Sequence, residues 1–156
     1  MTQEIRARIE ERLRAAGLRL TPQRFAVMEF LVREGGHRTA DQIGACVNRR
    51  FPRASRATVY NTIHRLCAVG LLRELRLQGA TALYEINLEP HHHFICRLCG
   101  RLEDIPMQGL REPSRPEVAP GYHLESWELV LRGVCARCSA PSAPIQRTRS
   151  RKEYSE

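Results

Sequence analysis

The sequence predicts an α+β protein, with a winged helix-turn-helix in its first half and a small α/β domain in its second half. Two observations indicate this fold class. Four amphipathic helical patterns precede a short hairpin pattern, and two Cys-x-x-Cys pairs stand 36 residues apart in the second half. The chain has 156 residues, enough for one domain or two small ones. Its 42% hydrophobic and 27% charged residues exclude coiled coil, collagen and wholesale disorder.

The first two predicted helices each have a start or stop signal. A four-residue apolar repeat spans residues 2–16 and ends at Gly17. Thr21 is a predicted N-cap with Pro22 in the first helical position, and Gly35-Gly36 ends that helix. The inward-facing residues are expected to be Ile5, Ile9 and Leu13 in the first helix, and Phe25, Met28, Leu31 and Val32 in the second.

Two more helices follow. Thr39 to Gln42 is a capping box that starts the third, and Phe51-Pro52 ends it. Ser55 caps a fourth helix over residues 56–69, which Gly70 closes. The inward-facing residues are expected to be Ile43 and Val47 in the third helix, and Val59, Ile63, Leu66 and Cys67 in the fourth. Cys46 and Cys67 are interpreted as core residues.

A hairpin follows, because two strand-like runs, 71–77 and 82–88, flank Gln78-Gly79. Helices followed by a hairpin are typical of a winged helix-turn-helix, whose last helix enters the DNA major groove. Residues 1–90 contain 15 Arg and 9 acidic residues, a net charge of +6, whereas residues 91–156 carry only +2. The excess of positive charge therefore lies in the predicted DNA-binding half.

The second half has strand-like runs at 93–95, 102–105 and 124–131, separated by several prolines. Because so short a region cannot build a large core, a metal staple or a partner chain is expected. The predicted boundaries are 1–88 for the winged helix, 89–138 for the second domain and 139–156 for a disordered basic tail. No apolar run of 18 residues and no signal core occur, so a cytoplasmic protein without a membrane partner is expected.

The spacing of Cys96, Cys99, Cys135 and Cys138 suits a tetrahedral zinc site with four thiolate ligands. Two alternatives are open at this point. The four thiols could be unlinked buried residues, or they could form a dithiol centre in a small thiol- or iron-dependent redox enzyme. Two Cys pairs, neither opening a helix after a strand, favour zinc.

Three consecutive histidines precede the first Cys pair. In an extended segment His91 and His93 share one face and His92 takes the other, so two imidazoles would form half of a transition-metal site. A polar linker is the alternative. His37, Glu85 and Asp104 could complete such a shell, but their spacing in the sequence does not establish that they converge.

The fourth helix has a polar face suited to DNA. Arg and Asn make bidentate contacts to bases, and a Tyr ring packs against a thymine methyl. A solvated amphipathic face is the alternative interpretation, although the neighbouring arginines favour DNA. The candidate DNA contacts are Arg19, Arg49, Arg50, Arg53, Ser55, Arg56, Thr58, Tyr60, Asn61 and Arg65.

Five motifs, in order, resemble the ferric uptake regulator family over residues 5–138: RLTPQR (19–24), HRTAD (37–41), SRATVYNT (55–62), HHHFICRLCG (91–100) and GVCARC (133–138). The resemblance implies a metal-dependent repressor that binds operator DNA as a homodimer, with a winged helix and a C-terminal dimerisation domain. Cys96, Cys99, Cys135 and Cys138, which form two Cys-x-x-Cys knuckles, match the family's structural zinc ligands. The positions matching its regulatory Fe(II) or Mn(II) ligands are His37, Glu85, His91, His93 and Asp104.

Two residues of this sequence resemble different branches of the family. Asp104 resembles the peroxide-responsive branch, in which oxidation of a metal-ligand histidine releases DNA, whereas Glu85 is more similar to the iron-responsive branch. We expect the peroxide response, with a zinc- or iron-level sensor as the alternative. Two departures from the family concern Ser126-Trp127, where many members carry His, and Pro113 and Pro116, which would interrupt an expected helix over 107–120.

Overall fold

The computed structural model describes residues 2–52, 55–76, 81–109, 118–125 and 127–140. It contains two compact units, Met1–Glu89 and Pro90–Glu156, which are described separately. Across the described residues, every helix is too short or too polar to cross a membrane.

Four helices form the body of the first unit: α1 (Gln3–Ala15), α2 (Pro22–Glu34), α3 (Ala40–Arg50) and α4 (Arg56–Ala68). The four predicted helices are confirmed, with ends that differ by one or two residues. The side chains of Thr21, Thr39 and Ser55 each accept a hydrogen bond from a backbone N–H in the first turn of α2, α3 and α4, respectively. In α3 the Gln42 side-chain oxygen accepts a hydrogen bond from the Thr39 N–H, which completes the predicted capping box.

The first unit also has a three-stranded sheet of β1 (Arg38–Thr39), β2 (Arg73–Leu75) and β3 (Leu83–Glu85), in the order β1-β3-β2. The strands β2 and β3 are the predicted wing, but they are shorter than the runs 71–77 and 82–88. Sequence reasoning missed β1, because a two-residue strand has no periodicity of its own. The proposed Gln78-Gly79 turn lies outside the described residues.

All four helices contribute to one apolar core, and the hairpin adds Tyr84 to it. The predicted inward residues are buried in α3, and Val59, Ile63 and Leu66 are buried in α4. The prediction for Val32 is wrong, because its side chain is 37% exposed. The buried stripe of α2 instead runs through Val27 and Leu31, four residues apart, and Val32 lies about 100° farther around the helix.

The two cysteines assigned to this core lie at its margin. Cys46 and Cys67 are both only half-buried. Cys67 packs against the core from the edge of α4, where burial and the nearby Glu74 raise its pKa to about 11. The interpretation of both as core residues is therefore only partly confirmed, since Cys67 packs at the margin of the core and Cys46 is half-buried.

The second unit has β4 (His91–Cys96), β5 (Leu102–Pro106), β6 (Val130–Gly133) and a single-turn helix α5 (Ala136–Ser139). In the sheet order β5-β4-β6, the central strand β4 pairs antiparallel with β5 and parallel with β6. The strand predicted over 124–131 is displaced, because β6 covers Val130–Gly133 and shares only two residues with the predicted run. At its edge the Leu129 carbonyl accepts a bond from the His93 N–H over 2.9 Å, whereas the Leu129 N–H donates to the His92 ring over 3.2 Å. Of the helix expected over 107–120, a 3-10 turn at Met107–Gly109 is present, and residues 110–117 lie outside the described residues.

Within the described part of the second unit, the fully buried side chains are three imidazoles and two thiols: His91, His92, His93, Cys96 and Cys135. Its aliphatic side chains, among them Ile95, Leu102 and Leu131, are only partly buried or exposed. The expectation that this region needs support beyond an apolar core therefore agrees with the structure.

Candidate metal centres and nucleic-acid interface

Four thiols converge where β4 and β6 end. Cys96 ends β4 and Cys99 lies in the turn after it, whereas Cys135 and Cys138 bracket the start of α5. Their four sulfur atoms lie within 4.8 Å of one another, and the Sγ atoms of Cys99 and Cys135 are 3.8 Å apart. A tetrahedral site with zinc–sulfur bonds of about 2.3 Å requires sulfur–sulfur distances of about 3.8 Å. The geometry therefore fits zinc.

The electrostatics of this cluster oppose the formation of four thiolates together unless a cation is present. The backbone N–H of Cys135 donates to the Cys96 sulfur over 3.3 Å. This bond, with a second from the Cys99 backbone, lowers the pKa of Cys96 to about 6. The neighbouring Cys135 and Cys99 sulfurs raise the pKa of Cys138 to about 12. Such crowding disfavours four negative charges until a cation is shared among them.

A second set of metal-type ligands lies in the first unit. His37 precedes β1 and Glu85 ends β3, and the pairing of Arg38 with Tyr84 brings the two side chains together. His37 Nε2 lies 3.0 Å from Glu85 Oε2, and their side chains are only 4% and 1% exposed. Arg73 in β2 donates from Nε to the other oxygen of the same carboxylate, Oε1, at 2.5 Å. Sequence reasoning did not identify this arginine.

A third set lies in the second unit. His91 Nε2 is 3.1 Å from His93 Nε2 and 3.8 Å from Asp104 Oδ1, and the β4–β5 register places Asp104 directly opposite His93. The predicted alternation is confirmed, because His92 lies on the other face with its ring 5.0 Å from that of Trp127. All three histidines are buried, so the polar-linker alternative is wrong.

A further neighbour of His93, Glu128, was also missed by the sequence analysis. Glu128 Oε2 lies 3.9 Å from His93 Nδ1, and its side chain is 42% exposed. At that distance the carboxylate is a neighbour rather than a direct hydrogen-bond partner. No signal in the sequence connects it with His93, because their proximity depends on the parallel pairing of β4 with β6.

Most of the candidate DNA contacts lie in or next to α4 or at the end of α3, whereas Arg19 lies between α1 and α2. Most of them are exposed: Arg19, Arg49, Arg50, Ser55, Arg56, Thr58, Asn61 and Arg65. Tyr60 is half-buried against the core rather than fully exposed, and Arg53 lies outside the described residues. Arg50 Nη1 donates to Glu29 over 2.7 Å, so a phosphate contact from this arginine would compete with that ion pair.

Arg56, the first residue of α4, is held in place. Its Nη2 donates to Asp41 over 3.0 Å, and its guanidinium carbon lies 5.6 Å from the centre of the Tyr60 ring. Both charged side chains are mostly exposed. An ordered cation at the start of this helix suits base or phosphate contacts, since recognition helices use their N-terminal residues.

A family model, the relatives in sequence and the neighbours in structure all compare this chain with metal-related or peroxide-related regulators. The family model described as "Ferric uptake regulator family" matches residues 15–132. The chain is 36% identical, over 83% of its length and 90% of the relative, to the "Peroxide operon regulator" of Bacillus subtilis (strain 168). The Helicobacter pylori ferric uptake regulator structure has a TM-score of 0.63 at 21% identity, covering 90% of this chain and 95% of that one. A zinc uptake regulator complexed with zinc and DNA has a TM-score of 0.61 at 22% identity, with 87% and 93% coverage.

Proposed function

Because the chain belongs to the ferric uptake regulator family, we propose that it is a metal-dependent repressor that releases operator DNA when peroxide oxidises a metal-ligand histidine. Its relatives are transcriptional regulators, and this chain is a regulator rather than an enzyme. The redox-enzyme alternative is therefore excluded. The observation that carries the proposal is the presence of two imidazole and carboxylate sets, His37 with Glu85 and His91 with His93 and Asp104, in which all the side chains are buried except that of Asp104.

The proposal assigns two metals with different tasks. Zinc would be held by the four knuckle thiolates and would support the second unit, which has little apolar core. Three imidazoles and two carboxylates would hold Fe(II) or Mn(II), because a mixed nitrogen and oxygen donor set suits these metals better than zinc's usual thiolates. These five ligands come from both units, so their joint use would couple metal binding to the arrangement of the DNA-binding unit.

The histidines of this proposed regulatory site would also serve the peroxide response. Bound Fe(II) would activate peroxide for cleavage of the oxygen–oxygen bond, and the two electrons that peroxide gains would come, in the net reaction, from the imidazole ring. The net change is insertion of one peroxide oxygen into a ring C–H bond of His37 or His91, while the other oxygen leaves as water. The oxidised ring is a poorer ligand, so the metal and then the DNA are released. One such event consumes one site, which suits a sensor and not a catalyst.

The DNA-binding part of the proposal places α4 in the major groove. Arg56 and Asn61 on its exposed face have the side-chain types that make bidentate base contacts, and Tyr60 lies beside Arg56. Arg49 and Arg50 at the end of α3 would contact phosphates. A homodimer would present two such helices to successive half-sites. A fold neighbour, a zinc uptake regulator, has been solved complexed with zinc and DNA.

The deciding experiment compares the two candidate regulatory metals. Protein purified without added metal is loaded with Mn(II), its binding sites are selected from genomic fragments, and the recovered operator is used in anisotropy titrations. The Fe(II) and Mn(II) forms are expected to bind it, and low peroxide is expected to release only the Fe(II) form. Mass spectrometry is expected to find one added oxygen on the peptide containing His37 or His91.

His123→Ala is the matched control for His91→Ala, since His123 is an exposed histidine of the same unit. The control is expected to retain Mn(II)-dependent DNA binding, and His91→Ala is expected to lose it. An Fe(II) form that stays bound and unmodified under peroxide would reject the peroxide response. If zinc or iron concentration alone then governed DNA binding, the protein would be a metal-level sensor of the same family.

A further inference from the structure

Arg73 and Glu85 form a cross-strand pair in the wing. The register of β2 with β3 places the two residues directly opposite each other. Arg73 Nε donates to Glu85 Oε1 at 2.5 Å, and Nη2 of the same guanidinium reaches the Asn87 carbonyl at 3.5 Å. The Glu85 side chain is 1% exposed and that of Arg73 is 30% exposed. A charge-assisted bond to so deeply buried a carboxylate is stronger than a surface ion pair.

The two oxygens of Glu85 therefore have different neighbours. Oε1 receives the Arg73 N–H, whereas Oε2 lies 3.0 Å from Nε2 of His37, a proposed ligand of the same metal. A carboxylate binds a metal through one oxygen or through both. Two-oxygen binding at Glu85 would require Oε1 to exchange its bond with Arg73 for a bond to the metal.

We propose that Arg73 is a positioning residue that reserves Oε1 of Glu85, so that Glu85 offers the regulatory metal only Oε2. This inference rests on the proposed function, in which Glu85 is a ligand. Residues that hydrogen-bond to a ligating carboxylate set its orientation and tune the metal it binds. By withholding one oxygen, Arg73 leaves a coordination position for a small oxidant and adds a positive charge that weakens metal binding.

Three features distinguish this arrangement from an incidental ion pair. The register of β2 with β3 places the two residues opposite each other, and the Glu85 carboxylate is buried. Arg73 donates to Oε1, whereas His37 lies next to Oε2. The neighbouring pair of Arg76 with Glu74, at 2.6 Å, differs because its residues are two apart in one segment and its carboxylate is 22% exposed, with the Arg76 side chain 77% exposed. Arg76→Gln is therefore a matched control that removes one positive charge near the same strand and leaves Glu85 untouched.

The test compares Arg73→Gln, Arg73→Lys and Arg76→Gln in the full chain. Arg73→Gln is expected to bind Mn(II) about ten times more tightly than the wild type, because it removes a positive charge beside the site; this is the opposite of the usual loss of affinity when a residue that hydrogen-bonds to a metal ligand is replaced. Its Fe(II) form is expected to lose DNA more slowly under peroxide. Arg73→Lys, which retains a cationic donor, and Arg76→Gln are expected to match the wild type. Unchanged or weaker Mn(II) binding by Arg73→Gln would overturn the inference.

A crystal structure of the Mn(II)-loaded wild type tests the same idea without relying on the folding of a variant. Arg73 Nε is expected to remain within hydrogen-bond distance of Oε1, with Oε2 alone on the metal. Binding of both oxygens would overturn the role of Arg73 and leave the proposed function intact. Unchanged Mn(II) affinity in Glu85→Gln would instead show that Glu85 is no ligand, and the proposed regulatory site itself would fail.

Discussion

Replacing Cys96 by serine is expected to unfold the second unit and to leave the first unit folded. The two units differ in what supports them. The first unit contains nine apolar side chains with less than 2% exposure, and each contributes about 1.5–3 kcal/mol on burial. In the described part of the second unit, the fully buried side chains are histidines and cysteines. The second unit therefore depends on its metal far more than the first depends on any single residue.

The magnitude follows from this difference. Structural zinc contributes on the order of 10 kcal/mol in small zinc-dependent folds. Whole domains have a net stability of about 5–15 kcal/mol, so a unit with few buried apolar groups cannot tolerate that loss. A core truncation in the first unit, such as Leu66→Ala, is expected to cost only about 2–5 kcal/mol.

Hydrogen exchange followed by mass spectrometry measures both units in one sample. In Cys96→Ser the amides of β4 and β6 are expected to lose protection, while those of α2 to α4 keep it. The zinc content is expected to fall from about one per chain to none, and sedimentation is expected to report monomers. Cys46→Ser, which changes a half-buried thiol outside the cluster, is the control. Full protection of β4 and β6 in zinc-free protein would refute the reasoning.

Three further predictions concern the first unit. Thr39→Ala removes an acceptor of the α3 capping box and is expected to lower the free energy of unfolding by about 1 kcal/mol in urea titrations, whereas Thr39→Ser is expected to cost much less. Tyr60→Ala is expected to reduce the preference for operator over other DNA, and a preserved preference would mean that another element reads the bases. Arg50→Ala is expected to weaken binding to all DNA and to reduce the slope of log binding constant against log salt concentration by about one. Burial raises the pKa of Cys67 from 9.0 to about 11, so the unfolded chain ionises first and stability is expected to decline between those pH values. Cys67→Ala is expected to flatten that part of the pH profile of thermal unfolding, and an unchanged profile would contradict the raised pKa.

The helices were predictable because their signals are local. Thr21, Thr39 and Ser55 cap helices within one turn of themselves, and each apolar stripe belongs to a single segment. The zinc cluster was predictable for a similar reason. Two short Cys spacings define two knuckles before any long-range contact is known.

The errors concern features that depend on pairing between distant segments. The strand β1 exists only because β3 lies beside it, and β6 covers residues 130–133 because these residues pair with residues 93–96 of β4. The Arg73–Glu85 pair could have been predicted from the sequence. A hairpin closed symmetrically about Gly79 places these opposite charges across from each other. The burial of Glu85 had no such signal, because it arises from packing that the hairpin pattern does not specify.

The parallel pairing of β4 with β6 also sets the order in which the molecule is completed during synthesis. Residues 93–96 pair with residues 130–133, so this part of the second sheet cannot close until nearly all of the described chain has been made. The first unit is different, because its helices and wing are complete by Glu85. Contacts between distant segments form slowly, and domains fold as units from the N-terminus. We therefore expect the first unit to fold on the ribosome before Cys138, the last of the four proposed zinc ligands, has been added, so that the newly made chain gains the proposed DNA-binding helix α4 before its second unit.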